Sequence, residues 1–193
     1  MMGRTHRIAA WAVLWGLGGC GGEAPSASST GEDSGATGGP RPAAALVDVA
    51  AWAEDPAADP LPAHRPAGAT CAPSGWGREG SSLEVETGLC PYAVFAQPAL
   101  ADLRPGEEVE LVLWHKDLVA EEPAEAHVLV SVGDVVLFDR RVPIPSGPEA
   151  YTETVTVQGR AAAGDPVVWH LHNHGANSWN LLSVDRRATT TSP

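Results

Sequence analysis

Stretch after stretch of this 193-residue chain sets apolar side chains at every second position, a period that only extended strands can use. Glu108–His115 carries Val109, Leu111 and Leu113 on one side, with Glu108, Glu110, Val112 and Trp114 on the other. Tyr151–Gln158 sets Tyr151, Val155 and Val157 against Thr152, Thr154 and Thr156. Ala126–Val132 and Val135–Val142 are separated by Gly133-Asp134 alone, the chemistry of a two-residue hairpin loop. Val167–Asn173 and Trp179–Asp185 flank a short polar turn at 174–178, and Ser82–Glu86 and Tyr92–Gln97 complete a set of eight predicted strands. No segment shows a convincing amphipathic helical period. Short strands punctuated by turns every ten or so residues predict an all-β sandwich or barrel.

The N-terminus is built differently. Arg4, His6 and Arg7 precede a 12-residue apolar run, Ile8 to Gly19, which ends on Leu17-Gly18-Gly19-Cys20. A bilayer span needs about 20 apolar residues, so this basic-then-apolar start reads as a cleaved secretory signal. Its last four residues resemble the lipobox of bacterial lipoproteins. That resemblance implies lipidation of Cys20 and an extracytoplasmic protein anchored to a membrane. In a diderm host, Gly21 after the cysteine resembles lipoproteins sorted to the outer membrane. Eighteen of the 22 residues at 21–42 are Gly, Ser, Thr, Ala or Pro, too little apolar surface to offset chain entropy. The expected organisation is a signal peptide at 1–19, a disordered tether at 20–45, a proline-rich transitional segment at 46–70, a sandwich domain at 71–186 and a flexible tail at 187–193.

Cleavage would remove two basic residues and no acidic ones, leaving 10 basic against 24 acidic residues and a formal charge of −14. That balance repels phosphate backbones and excludes nucleic acid as a partner. With Cys20 assigned to lipid, Cys71 and Cys90 remain as an even pair in an exported chain, where a disulfide is expected. Closing a loop of about 20 residues is worth roughly 3 kcal/mol.

The order of elements resembles the galactose-binding-like jelly roll of bacterial carbohydrate-binding modules. The resemblance rests on Leu83-Glu84-Val85-Glu86, on Leu103-Arg104-Pro105-Gly106-Glu107 before a long strand, and on a closing hairpin over Trp169–Val184. It implies a jelly-roll β-sandwich that binds carbohydrate or an envelope polymer, with structural calcium as a further implication. Glu86 and Asp185 are loose candidates for that calcium. Gly164–Trp169 followed by Asn173-His174-Gly175 also looks like the middle of a cupredoxin, but no cysteine or methionine follows Cys90 to complete such a site.

Two sets of side chains carry candidate chemistry. Aromatics with one wet edge stack on sugar rings, which points to Trp76 and Trp179, with His172, His174 and Asn177 near the closing turn. No cofactor is required by that reading. The alternative starts from His170, His172 and His174, which recur at every second residue and point to one face if the strand stays regular. Parallel imidazoles on one face can share zinc or copper, with His115 or His127 as further ligands. A copper-dependent oxidoreductase-type domain is one form of that alternative. Four of the six histidines after the signal fall in predicted strands, and His174 directly follows the strand Val167–Asn173. No Gly-x-Ser-x-Gly turn activates a serine, and Glu107/Glu108 and Glu121/Glu122 read as solvated charge. No catalytic residue is therefore assigned, and a purely structural envelope role is the third reading.

Overall fold

The period-two segments pair as antiparallel strands in the computed structural model, which describes residues 39–189. The signal peptide, Cys20 and most of the tether lie outside the described residues. In chain order the strands are β1 (Ala44–Ala45), β2 (Ala53–Glu54), β3 (Trp76–Glu79), β4 (Ser82–Glu86), β5 (Tyr92–Pro98), β6 (Glu108–His115), β7 (Ala124–Val132), β8 (Val135–Ile144), β9 (Glu149–Thr156), β10 (Pro166–His172) and β11 (Ser178–Arg186). All eight expected strands form, with ends within two residues of those read from the pattern. The additional strands β1, β2 and β3 are short edge pieces with no alternation to betray them.

The strands form two antiparallel sheets. One runs β3-β4-β11-β6-β9, with β1 pairing to β11 as well, and the other runs β2-β5-β10-β7-β8. Their facing sides interdigitate as in a β-sandwich. Leu83, Val85, Leu111, Leu113, Trp179 and Leu181 meet Phe95, Val128, Val130, Val167, Trp169 and Leu171, all buried. The Gly133-Asp134 hairpin forms as its sequence predicts, with Gly133 at φ +53°. Cys71 and Cys90 are joined in a disulfide.

One expected element is corrected. The segment 169–184 is not a hairpin, because β10 and β11 belong to different sheets. Trp169 and Trp179 both face the interior, so the turn between them must arch across the core instead of folding one strand onto the other. Thr87 ties this arch: its hydroxyl donates to Gly175 O and accepts from Asn173 Nδ2 and Asn177 N, at 2.8, 3.0 and 2.9 Å. Gly175 is needed there. It sits at φ +85°, and a Cβ would lie 2.0 Å from Val119 O.

The proline-rich segment 46–70 forms a strap over the outer face of the five-stranded sheet. Leu46 and Trp52 insert into the main core, and Ala58 and Ala69 cover Tyr92, Val94 and Val168 on the far side. Three aspartates shape it locally. Asp48, Asp55 and Asp59 each accept a bond from the backbone N–H two residues on, bending the chain into short turns where prolines forbid longer elements. At the other end, residues 187–189 stay attached: Thr189 N donates to Arg41 O at 3.0 Å.

Candidate metal centre

On β10 the alternation places Val167, Trp169 and Leu171 inward, and therefore His170 and His172 on the outer face. Neighbouring strands add to that face in register: His127 of β7 and Tyr92 of β5 both stand opposite His172. The strap closes over these side chains and brings a fourth imidazole, His64. His64, His127 and His170 each offer a ring nitrogen within 4.8 Å of one on each of the others. Their ring centres are 5.3 Å (His64–His127), 5.7 Å (His127–His170) and 6.1 Å (His64–His170) apart. Imidazoles bound tetrahedrally at about 2.0 Å would have centres about 5 Å apart, so the cluster is a slightly open form of a three-histidine cage.

The hydrogen bonds say which nitrogens are free to ligate. His127 Nε2 lies 2.7 Å from Asp139 Oδ1, and His170 Nδ1 lies 3.2 Å from Asp59 Oδ1. An ionised carboxylate only accepts, so both histidines donate there, and each ring in its neutral form carries its lone pair on the other nitrogen. His64 Nε2 meets His172 Nδ1 at 3.2 Å. The remaining nitrogens, His64 Nδ1, His127 Nδ1 and His170 Nε2, are buried and have no hydrogen-bond partner. Ten buried side-chain atoms are unpartnered among the described residues, and three of the ten meet at this one cluster. Each would cost about 1–3 kcal/mol if left unmet. An imidazole held at one nitrogen by a carboxylate is the arrangement in which outer partners fix metal ligands.

Electrostatics disfavour the protonated forms of His170, His172 and His64. Burial, aided by repulsion from neighbouring histidines, lowers the pKa of His170 to about 4 against the pull of Asp59, and that of His172 likewise to about 4. His64 is lowered too, first by burial and then by His127. Asp59 is buried and saturated: it also accepts from the Tyr92 hydroxyl at 2.7 Å and from Leu61 N at 2.9 Å. Arg65 lies over the Tyr92 ring, 4.6 Å from its centre. Neutral nitrogen donors suit zinc or copper and not the hard oxygen-seeking cations. The disulfide leaves Cys71 and Cys90 no thiolate to contribute.

The metal-ligand expectation is thus redrawn. His127 and His170 are brought together, and His172 sits directly behind them. His115 is excluded, because it faces the interior from β6, in the other sheet. Its Nδ1 lies 2.7 Å from Lys116 O and its Nε2 3.2 Å from the Tyr151 hydroxyl, while its ring packs on Trp179. His174 lies past the end of β10, exposed, with its ring centre 4.8 Å from that of His172. His64 was missed because it belongs to no strand. The signal available was a histidine bracketed by prolines, Pro62-Ala63-His64-Arg65-Pro66, in a segment long in prolines.

The expected carbohydrate contacts separate in the same way. His172 and His174 line a surface groove of about 470 Å³, with Asn173 and the strap residues Pro66 and Gly68. Trp179 is fully buried, its Nε1 donating to Asn173 Oδ1 at 3.1 Å, and offers no face to a ligand. Asn177 is consumed by the arch, accepting from Val119 N at 2.7 Å and donating to His174 O at 2.9 Å. Trp76 is half-buried at the edge strand and packs on Phe95. Glu86 and Asp185 cannot share a calcium ion. Glu86 pairs with Ser178, seven residues from Asp185 along β11, which separates them by about 20 Å.

No protein-family model matches the chain, and no curated protein matches it. Among solved structures, one described as "CBM4 structure and function" is 15% identical with a TM-score of 0.39, covering 70% of this chain and 92% of that one. The N-terminal cellulose-binding domain of a β-1,4-glucanase C from Cellulomonas fimi is 18% identical with a TM-score of 0.33, covering 64% and 93%. The enzymatically active domain of bacteriophage CBA120 tailspike protein 4 is 13% identical with a TM-score of 0.37; the match covers 59% of this chain and only 17% of the tailspike chain. At these scores the likeness assigns no ligand or reaction to this chain.

Proposed function

We propose that this is a β-sandwich metal protein whose centre is formed by His64, His127 and His170 and takes zinc or copper. The observation that supports it is the clustering of three imidazoles, each with a ring nitrogen within 4.8 Å of the others, each with one buried nitrogen that has no hydrogen-bond partner, and two held by carboxylates. Three protein ligands leave a coordination position for a water or substrate, and a bound ion would supply Lewis acidity or, as copper, redox chemistry. The test is metal analysis and titration of tag-free protein. One equivalent of Zn²⁺ or Cu²⁺, lost in His127→Ala and His64→Ala, supports the centre; wild-type protein that takes up neither ion overturns it.

In this proposal the domain is held outside the cytoplasm by lipid on Cys20 and a tether of about 25 Å. Cys20→Ser should release it from membranes, and unchanged membrane recovery would count against the anchor.

A second reading, carbohydrate binding, is favoured by the outer face of the six-stranded sheet. There Trp114 is half-buried and stands in register beside Asn180, whose other neighbour is Glu84. Asn180 is itself fully buried beneath this face, so the partly exposed indole and the Glu84 carboxylate are the groups it offers, and an indole with a wet edge suits stacking on a sugar ring. Glycan-dependent quenching of tryptophan fluorescence that disappears in Trp114→Ala would support it. Quenching that survives the substitution would remove this face.

A further inference from the structure

The histidines not needed in the cage form a line from it to the surface. His172 touches His64, with ring centres 4.6 Å apart and a 3.2 Å nitrogen contact. His174 follows, its ring centre 4.8 Å from His172, close to the spacing of about 5 Å for two imidazoles on one ion. His172 is almost buried, while His174 is exposed and borders both the 470 Å³ groove and a larger depression of about 950 Å³ formed with Val119–Ala124. The cage is closed on the sheet side, where His170 is fully buried and His127 nearly so, while His64 on the strap is half-buried. An ion entering by the groove, which His172 and His174 line and His64 does not, therefore meets His174 and His172 before any ligand of the centre.

We infer that His172 and His174 form a transient two-histidine loading site that captures the ion in the groove and passes it to His64 by stepwise exchange of imidazole ligands. The inference rests on the metal-centre reading above. No electron moves in the transfer. The ion keeps its charge, and one metal–nitrogen bond forms at His64 as one breaks at His174. His172 is suited to the middle position because its ring lies between the other two, with centres 4.6 Å from His64 and 4.8 Å from His174. The position of His174 has a structural reason: Gly175, at positive φ against Val119 O, pins the arch that carries it.

A relay on the path accelerates both directions and leaves the equilibrium unchanged. The experiment uses the chain purified without a histidine tag and compares wild type with His174→Gln. Zn²⁺ uptake is followed by stopped flow from a chromophoric chelator, and release into excess chelator is followed separately. Equilibrium stoichiometry and affinity are measured by competition. His174 is exposed and its backbone carbonyl, not its ring, ties the arch, so His174→Gln should fold; thermal melting of the metal-free protein checks this. The expected result is uptake and release slowed severalfold by the same factor, with stoichiometry and affinity unchanged. Rates equal to wild type overturn the relay and leave the centre standing. An affinity loss with an unchanged uptake rate also overturns it, making His174 a ligand of the bound state. A wild-type protein that takes up no Zn²⁺ at equilibrium overturns both the relay and the centre.

Discussion

Lowering the pH of the metal-free protein should reveal how strongly the sandwich holds His170 in its neutral form. Its ring is fully buried, and burial, with repulsion from His127 and His64, lowers its pKa to about 4 while Asp59 pulls the other way. A histidine in the unfolded chain titrates at about 6.5. Because the folded value is the lower one, the unfolded chain binds the proton first as pH falls. Stability from this group is therefore complete above the unfolded value and is lost as the pH drops from 6.5 toward 4. The linkage relation gives a loss of about 2 kcal/mol between pH 7.5 and 5, and about 3 kcal/mol by pH 4. Against a domain stability of about 5–15 kcal/mol that is a measurable share. His172 titrates in the same direction, but it touches the groove and shares its repulsion with the others, so its contribution is not simply additive. The assay is urea unfolding at a series of pH values with chelator present, for wild type and His170→Gln. The substitution removes the titrating group, so the stability difference between the two proteins should change by about 2 kcal/mol between pH 7.5 and 5. Parallel curves across that range would refute the reasoning, and with it the view that His170 is held neutral by burial.

Three further outcomes follow from particular contacts. Asp139→Asn should lower metal affinity by about 10–100-fold while leaving the melting temperature of the metal-free protein nearly unchanged, because Asp139 is half-exposed and orients His127; competition titration and calorimetry measure the two effects. Trp169→Ala should cost about 3–5 kcal/mol in chemical denaturation, since the indole is fully buried between the sheets. Gly175→Ala should destabilise the arch and alter amide exchange at Val119 and Asn177, because the new methyl meets Val119 O in a left-handed backbone; unchanged exchange at both amides would contradict the contact.

Alternation made the strands legible, because burial on one face of a sheet selects every second side chain whatever the remainder of the fold does. The same period put His170 and His172 on the face opposite Trp169, and that is where they stand. The pairing of cysteines followed from their count. Sheet membership did not follow, since a polar turn of the same composition can join neighbours in one sheet or cross between two. The structure therefore has an arch where the sequence predicts a hairpin, and His115 lies in the wrong sheet to serve the cage. Nor could periodicity reach His64, which sits in a proline-bound strap with no period. Its role arises from the way Asp59, Tyr92 and Arg65 hold that strap against the outer face of the sheet. Local chemistry thus determined which residues are strands and which way they face. Only the tertiary structure decided which faces meet, because a contact between residues 64, 127 and 170 depends on the path of the whole chain and on no local pattern within it.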